Sequence, residues 1–441
     1  MYKRISGWGN APFSYTEFVS LSPDDSRVPS RTTRGLVPRG QGQSYGDSAN
    51  NSGGGAIDTR RLNFITIDRD KALAIVGSGV TITELESECL VHGLFPFVVP
   101  GTGRVTIGGA IASDIHGKSH HKVGSISNHL IEFKLLTSDG KIKVLKPAGE
   151  SSKLFWATVG GMGLTGIIVE ATISLLKVET AFVKVEEQRV KNLNDLLQTL
   201  SEFNSIYNYT VAWIDLSGKF IGRGIVSGAN HADLHLMDNL ESVKALKPLP
   251  LKKYKISYPF SFSIINKTTI RVFNSMWYHK PLGRVFQHVQ KYMHPLDGIS
   301  NWNLIYGKKG FIQYQFVIPF EKVEILNAVL SKLGSARCNS FLTVLKSFSD
   351  GSAAPLGFPA RGWTLAVDLP LNNPNLSHVL RDLDQLILNG GGRIYLTKDS
   401  RMSKTHLSTM YPALEDWKKI KHEIDPENLW QSDQGRRLGL C

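Results

Sequence analysis

The sequence predicts an α+β protein of two domains, and three observations point there. The 441-residue chain is longer than one small core requires and suits two. Residues 35–180 read as short apolar strands broken by glycine, as in "GAIDTRRLNFITID" and "GGMGLTGIIVEATISLL". From about residue 181 glycine thins out and strand and helix patterns alternate.

In the first part, alternation at Ile65 and Ile67 and at Ala74 and Val76 marks strands. "TITELESECLVHG" has helical spacing, with Thr81 or Thr83 as its cap and Gly93 as its stop. "FVVPGTGRVTIGGAIASDIHG" reads as a further glycine-broken strand region. "LVPRG", residues 36–40, resembles an engineered protease site but runs directly into a glycine turn, so it reads as native chain.

In the second part, "VKVEEQRV", "NLNDLLQTLSEF", "YTVAWIDL" and "GRGIVSG" read as strand, helix, strand, strand. "GFIQYQFVIPF", "VEILNAVLSKLG", "NSFLTVLKSF", "GWTLAVDLP", "LSHVLRDLDQLILNGGG" and "RIYLTKDS" follow as strand, helix, strand, strand, helix, strand. The order predicts an antiparallel sheet with helices on one face. "YPALEDWKKIKHEIDPENLW" reads as a helix ended at Asp425-Pro426, because proline cannot continue it.

Composition narrows the function classes. Hydrophobic residues make up 41% and charged residues 20%, without low-complexity tract or repeat, which is ordinary for a globular protein. No apolar run approaches the roughly 20 residues that span a bilayer, and the start lacks a signal-peptide core. Three cysteines without metal-ligand spacing fit a reducing compartment, so the expectation is a cytoplasmic protein, peripheral to the inner membrane at most. The net charge of +13 suggests an anionic partner. Nucleic acid is not expected, since no aromatic-basic module accompanies the charge. "KALKPLPLKKYK", residues 244–255, reads either as a solvated linker or as a loop facing an anionic membrane surface.

Three glycine-rich segments carry the candidate chemistry. "RGQGQSYGD", residues 39–47, can approach a ligand closely and offer successive N–H groups to a phosphate, but it is neither a Walker loop nor a Rossmann turn and alone reads equally as a plain turn. "PGTGRVTIGGAIASDIHG", residues 100–117, has a run of almost no side-chain volume against which a flat ligand can lie. The third is "WATVGGMGLTGIIVEATI". Together they point to an extended cofactor. "DIHGKSHHKVGS" adds His116, His120 and His121, but no thiolate or third firm ligand stands near, so no metal site is expected.

These segments, with "LFWATVGGMGLTGIIV", "GFIQYQFV", "SFLTVLKSF", "GWTLAVD", "TKDSR" and "YPALEDW…IDP…RRL", resemble the vanillyl-alcohol oxidase and p-cresol methylhydroxylase flavoproteins. Within that superfamily the resemblance is to the decaprenylphosphoryl-ribose oxidase family, and it spans residues 6–440. It implies an FAD-binding domain over 1–180, rejoined by 393–441, and a substrate domain over 181–392. It implies that Arg39, Gly40, Gly42, Ser44, Tyr45, Gly101, Thr102, Gly108, Gly109, Ala112, His116, Gly117 and Ile168 line the FAD site. Related lactone oxidases tether flavin to a histidine where Gln43 stands here, so FAD is expected to be non-covalent.

The activity implied is hydride transfer from C2 of a polyprenyl-phosphoryl ribose to flavin. A short-chain dehydrogenase partner then reduces the 2-keto sugar to the arabinose form for cell-envelope glycan synthesis, and a quinone or other acceptor reoxidises the flavin. Lys398, His116 and Tyr45 are the implied catalytic residues, with Lys398 as base. Gln313, Gln315, Lys346, Lys118 and Thr364 are the implied substrate contacts. Thr364 and Ala366 replace Asn and Cys of some members. An aldonolactone or sugar-alcohol oxidase is the alternative enzyme on the same flavin domain.

Overall fold

The computed structural model describes residues 2–21, 32–217, 220–237, 245–249, 254–258, 265–338 and 340–441. Strands β1 (Tyr2–Ser6), β2 (Phe13–Ser20), β3 (Leu36–Arg39) and β4 (Gly55–Asp58) form a sheet in the order β1-β2-β4-β3. The "LVPRG" segment is thus a strand of this sheet, with Leu36 fully buried. A second sheet holds β5 (Ile65–Asp68), β6 (Leu73–Gly77), β7 (Leu94–Pro96), β8 (Leu130–Leu136), β9 (Ile142–Leu145) and β10 (Ile167–Lys177). Its order is β5-β6-β10-β8-β9, with β7 also on β10, and every pairing is antiparallel.

Helix α1 (Ile82–Val91) starts on the Thr81 cap: Glu84 N–H donates to Thr81 Oγ1, and Thr81 N–H donates back to the Glu84 carboxylate. Gly93 follows its end at φ +71°, a conformation that costs glycine little. Where a strand was expected, residues 107–112 instead form a short helix, α2 (Ile107–Ala112). Its sequence, "IGGAIA", has no helical propensity worth the name. The Thr106 cap and the burial of Ile107, Ala110 and Ile111 overcome that. Short α3 (His120–Val123) and α4 (Ser152–Thr158) complete this part.

The second part is built on an eight-stranded antiparallel sheet. It comprises β11 (Phe182–Val190), β12 (Tyr209–Ile214), β13 (Gly224–His231), β15 (Val285–His288), β17 (Phe311–Ile318), β18 (Thr343–Phe348), β19 (Gly362–Pro370) and β20 (Arg393–Ile394), in the order β15-β11-β13-β12-β18-β19-β17-β20. Two short strands, β14 (Tyr254–Lys255) and β16 (Ile299–Ser300), pair separately. Helices α5 (Leu193–Ile206), α8 (Val323–Ser335) and α9 (Leu376–Asn389) cover one face, sharing a core with Ile312, Tyr314, Phe316, Leu345, Leu365 and Val367. Alternation along a strand sends the intervening residues to the opposite face, where the polar site lies. Helices α6 (Lys267–His279) and α7 (Val289–Met293) precede β17.

The expected boundary at 180 falls in the link between β10 and β11. The expected boundary at 393 falls inside the large sheet, because β20 pairs with β17, so the chain leaves that sheet only after Ile394. Three further helices follow: α10 (Lys404–Met410), α11 (Leu414–Ile424) and α12 (Asp433–Leu438). α11 stops at Asp425, whose carboxylate takes Lys421 and the backbone N–H groups of Leu429 and Trp430. The tail then meets the first sheet: Leu36 N–H donates to Leu429 O and Gln431 N–H to Leu36 O. Trp417 Nε1 donates to Ala157 O at 2.8 Å, fixing α11 on α4.

Candidate active site

The three glycine segments converge on α2. A side chain at Gly40 would collide with Thr106, the α2 cap. The α2 carboxyl end is tied to the third segment, since Gly160 and Met162 donate N–H bonds to the carbonyls of Ile111 and Ala112. One side of α2 is buried, while Gly108, Gly109 and Ala112 remain partly open. The result is a strip of backbone without side chains, and Ile168, expected to line the site, is buried in β10. Gly117 is required for close approach, because a Cβ there would strike the Val99 backbone.

In the first segment the backbone N–H groups of residues 40–44 have no acceptor among the described residues. Consecutive free N–H groups suit phosphate oxygens. Arg39 shapes this turn and does not reach out of it. Its guanidinium lies against Gly42, at φ +64°, and donates to Ala49 O at 2.7 Å, Ser6 O at 2.7 Å and Asn50 Oδ1 at 3.2 Å. Ser44 is half-buried and its carbonyl accepts from Trp8 N–H. Gly101 faces open space, whereas Thr102 Oγ1 donates to Asp297 at 2.8 Å.

The polar face of the large sheet supplies the other wall. Register places Gln313 opposite Asp368, Gln315 opposite Ala366 and Lys346 opposite Thr364. Gln315 Nε2 donates to His116 Nε2 at 2.9 Å and to Thr364 Oγ1 at 3.2 Å, and Thr364 donates onward to Phe316 O. Thr364 therefore orients Gln315, with its own hydroxyl already engaged. His116 sits among Phe348, Phe358 and Tyr395, and burial holds its pKa well below the usual histidine range. With Nε2 accepting, the proton is on Nδ1, which is buried without a partner among the described residues.

Lys398, at the end of a short 3-10 turn, places Nζ 3.9 Å above the Tyr45 ring centroid. Burial lowers its pKa to about 7; Asp368 works against that shift and Lys346 adds to it. Burial likewise lowers Lys346 to about 8 and Lys118 to about 7. Lys118 Nζ donates to the carbonyls of Tyr292 and Met293, at 3.0 and 2.9 Å. None of the three lysines has an acidic ion-pair partner among the described residues. Contact with an anion would favour their charged forms against the burial that lowers them. Tyr45 is itself buried, and burial together with nearby Asp368 keeps its phenol protonated.

The neighbouring histidines have other surroundings. His120 lies 4.3 Å from the Phe348 ring with both ring nitrogens unpartnered among the described residues, and burial depresses its pKa to about 3. His121 Nε2 donates to Tyr207 O at 2.9 Å. Among the described residues, no three His, Cys, Asp or Glu side chains stand close enough to hold a metal.

Two parts of the site escaped sequence reasoning. Asp368 is fully buried on the site face, bonded by Gln313 at 2.6 Å and Tyr306 at 3.2 Å, and burial raises its pKa to about 7. A lone acid in the apolar strand "GWTLAVDLP", in phase with Thr364 and Ala366, was its available signal. The second is a clamp. Arg437 of α12 grips Asp47 through two bonds, at 2.8 and 3.0 Å, and Asp399 at 2.9 Å. Thr397 O accepts from Tyr45 N–H, and a Cβ at Gly46 would collide with Asp399 O. This clamp sets Lys398 against Tyr45.

The open N–H groups, the bare face of α2 and the unpartnered His116 Nδ1 fit FAD: the 40–44 turn suits its pyrophosphate and the α2 strip its flat ring. Bound FAD supplies hydride acceptance, and no chain residue does so. Gln43 offers no nucleophile to the flavin, so acid precipitation of the yellow protein is expected to leave all flavin in the supernatant; colour in the pellet would show a covalent link.

An FAD binding domain matches residues 27–146. Decaprenylphosphoryl-β-D-ribose oxidase of Mycolicibacterium smegmatis is 39% identical over 453 residues, covering 99% of this chain and 98% of that protein. D-lactate dehydrogenase of Archaeoglobus fulgidus is 29% identical over 37% of this chain and 40% of its own. Cytokinin dehydrogenase 2 of Arabidopsis thaliana is 24% identical over 38% of this chain and 36% of its own. The first of these, covering 99% of the chain, runs through both walls of the site. The chain is an FAD-dependent oxidoreductase and belongs to the decaprenylphosphoryl-β-D-ribose oxidase family.

Proposed function

We propose that this enzyme oxidises the 2-hydroxyl of a polyprenyl-phosphoryl ribose to the 2-keto sugar, as the first half of an epimerisation to the arabinose form. The observation that carries the reading is the pair Lys118 and Lys346, two buried amines without acid partners among the described residues, on the polar face that also holds Lys398. A phosphodiester supplies the missing anion, and a neutral lactone does not. Gln313 and Gln315 share that face and offer bonds to ribose hydroxyls. Lys398, with a pKa near neutrality, takes the hydroxyl proton, while Tyr45 and His116 orient the ring.

A separate short-chain dehydrogenase reduces the keto sugar, and a quinone or similar acceptor collects the electrons. The chain divides functionally into a flavin portion, 1–180 with the returning tail, and a substrate portion built on the large sheet. Anaerobic mixing with polyprenyl-phosphoryl ribose is expected to bleach the flavin, whereas an aldono-lactone leaves it yellow. The reverse outcome would establish the lactone oxidase reading.

The lysines also set a pH dependence. Lys398 must be neutral to accept a proton, so kcat/KM rises as pH increases through about 7. Lys346 must be charged to hold phosphate, so kcat/KM falls as pH increases through about 8. A narrow bell is expected in stopped-flow flavin reduction, and Lys346→Met is expected to abolish its alkaline limb. A profile flat across this range would remove both assignments.

A further inference from the structure

One face of α6 leaves large apolar side chains uncovered. α6 buries Ile270, Asn274 and Tyr278, one residue per turn, and this turns Val272, Phe273, Met276 and Trp277 outward. Val272 is 54% exposed and Met276 71%. Tyr254 and Tyr258, earlier in the chain than α6, are 81% and 82% exposed. Such a concentration exceeds the scattered apolar residues of an ordinary surface.

The patch is continuous with the site. Ring contacts run from Trp277 to Phe273 at 6.0 Å, to Phe341 at 5.6 Å, to Tyr306 at 6.0 Å, to Phe311 at 3.9 Å and to Tyr45 at 5.5 Å. Lys398 stands on the last ring. The charge is one-sided as well: from Ser242 to Leu296 the sequence holds ten Lys and Arg and no Asp or Glu. Glu187 and Glu186 engage Lys280 and Arg284, but Lys255, Lys267 and Arg271 have no acidic partner among the described residues.

We propose that the outer face of α6 docks the enzyme on an anionic lipid bilayer. Aromatic and aliphatic side chains flanked by cations are the chemistry of an interfacial helix. A second copy of this chain fits poorly, since it would oppose two surfaces on which Lys255, Lys267 and Arg271 find no acidic partner among the described residues. A bilayer also offers the apolar medium that the ring line opens onto. If the substrate is the prenyl-phosphoryl sugar proposed above, its tail follows that line from the membrane to Lys398; the docking itself does not depend on that reading.

The test is co-sedimentation of the FAD-loaded protein with vesicles of phosphatidylcholine containing phosphatidylglycerol, and with phosphatidylcholine alone. The protein is expected to sediment with the anionic vesicles only. Val272→Glu with Met276→Glu, both outside the site, is expected to weaken that binding about tenfold or more while flavin content stays the same. Should the double variant lose its flavin, Met276→Ser is measured in its place, with loss of binding again expected. Failure to sediment, equal sedimentation on both lipids, or undiminished binding of the variant overturns the proposal. So does a dimer in light scattering that the variant dissociates, which would make the face a contact between copies. Vesicle binding without bleaching by any prenyl-phosphoryl ribose would sink the substrate reading and leave the docking surface standing.

Discussion

Lys398→Met is expected to give a folded, yellow protein whose flavin polyprenyl-phosphoryl ribose bleaches about 10²–10⁴ times more slowly, the usual contribution of a positioned base. The amine has no ion-pair partner among the described residues, and it rests on the Tyr45 ring at 3.9 Å. Removing it therefore breaks no ion pair, and buried Asp368, raised to about 7, can answer the lost charge by taking up a proton. Methionine fills similar volume and keeps the apolar contact with the ring. Stability should hold or rise, because a buried cation without a carboxylate in contact costs the folded state. Anaerobic stopped-flow measures the rate, and a thermal melt with flavin release checks the fold. Bleaching at nearly the wild-type rate would take the proton-accepting role from Lys398. Slower bleaching that keeps the acid limb of the pH profile would give the role to another group.

The same residue shows what the sequence makes legible. "TKDSR" marks Lys398 as chemistry only through family resemblance; no periodicity singles out one lysine of so basic a chain. Local features read well. The cap and stop of α1 lie within "TITELESECLVHG", and Gln313 and Gln315 share a face because strand residues two apart must. α2 read as strand because "IGGAIA" has neither helical propensity nor an amphipathic stripe, and what holds it is tertiary: the Thr106 cap, the buried isoleucines and the 160–162 turn. The return of the tail to β3 and the 39–47 turn joins residues nearly 400 positions apart, through backbone and ion-pair contacts that leave no local pattern. Asp47, Asp399 and Arg437 stood in recognisable words, but only the fold shows that they touch. Of the "KALKPLPLKKYK" stretch, residues 244 and 250–253 lie outside the described residues; of the remainder, Lys247 O accepts from His288 and Tyr254–Lys255 pair with β16. The basic character noted there continues through α6, which no sequence motif singled out.

Arg437→Met is expected to be the most damaging single change for stability, at about 3–5 kcal/mol, because it strands two buried carboxylates. Burial already pushes the Asp47 carboxyl up even with Arg437 in contact, and the guanidinium, set between Asp47 and Asp399, is pushed up in turn. The two shifts show a pair that costs desolvation on one side and gains attraction on the other. Its net worth is modest, yet its disruption is costly. Without Arg437 the Asp47 carboxyl, already raised by burial, loses the contact that lowers it, so the penalty is full at neutral pH and shrinks as pH falls and it protonates. The urea midpoint gap between variant and wild type should therefore be wide at neutral pH and narrower near about pH 5. Flavin should be lost along with stability, since Asp47 closes the 39–47 turn and Asp399 adjoins Lys398. Adding Asp47→Asn to Arg437→Met is expected to regain part of the loss by removing one stranded charge. Lys419→Gln, which breaks an exposed pair with Asp416, should leave stability nearly unchanged. An Arg437 variant as stable as the Lys419 variant, with the same gap at both pH values, would show that the clamp does not hold the tail, and that Lys398 owes its place to the Thr397 backbone alone.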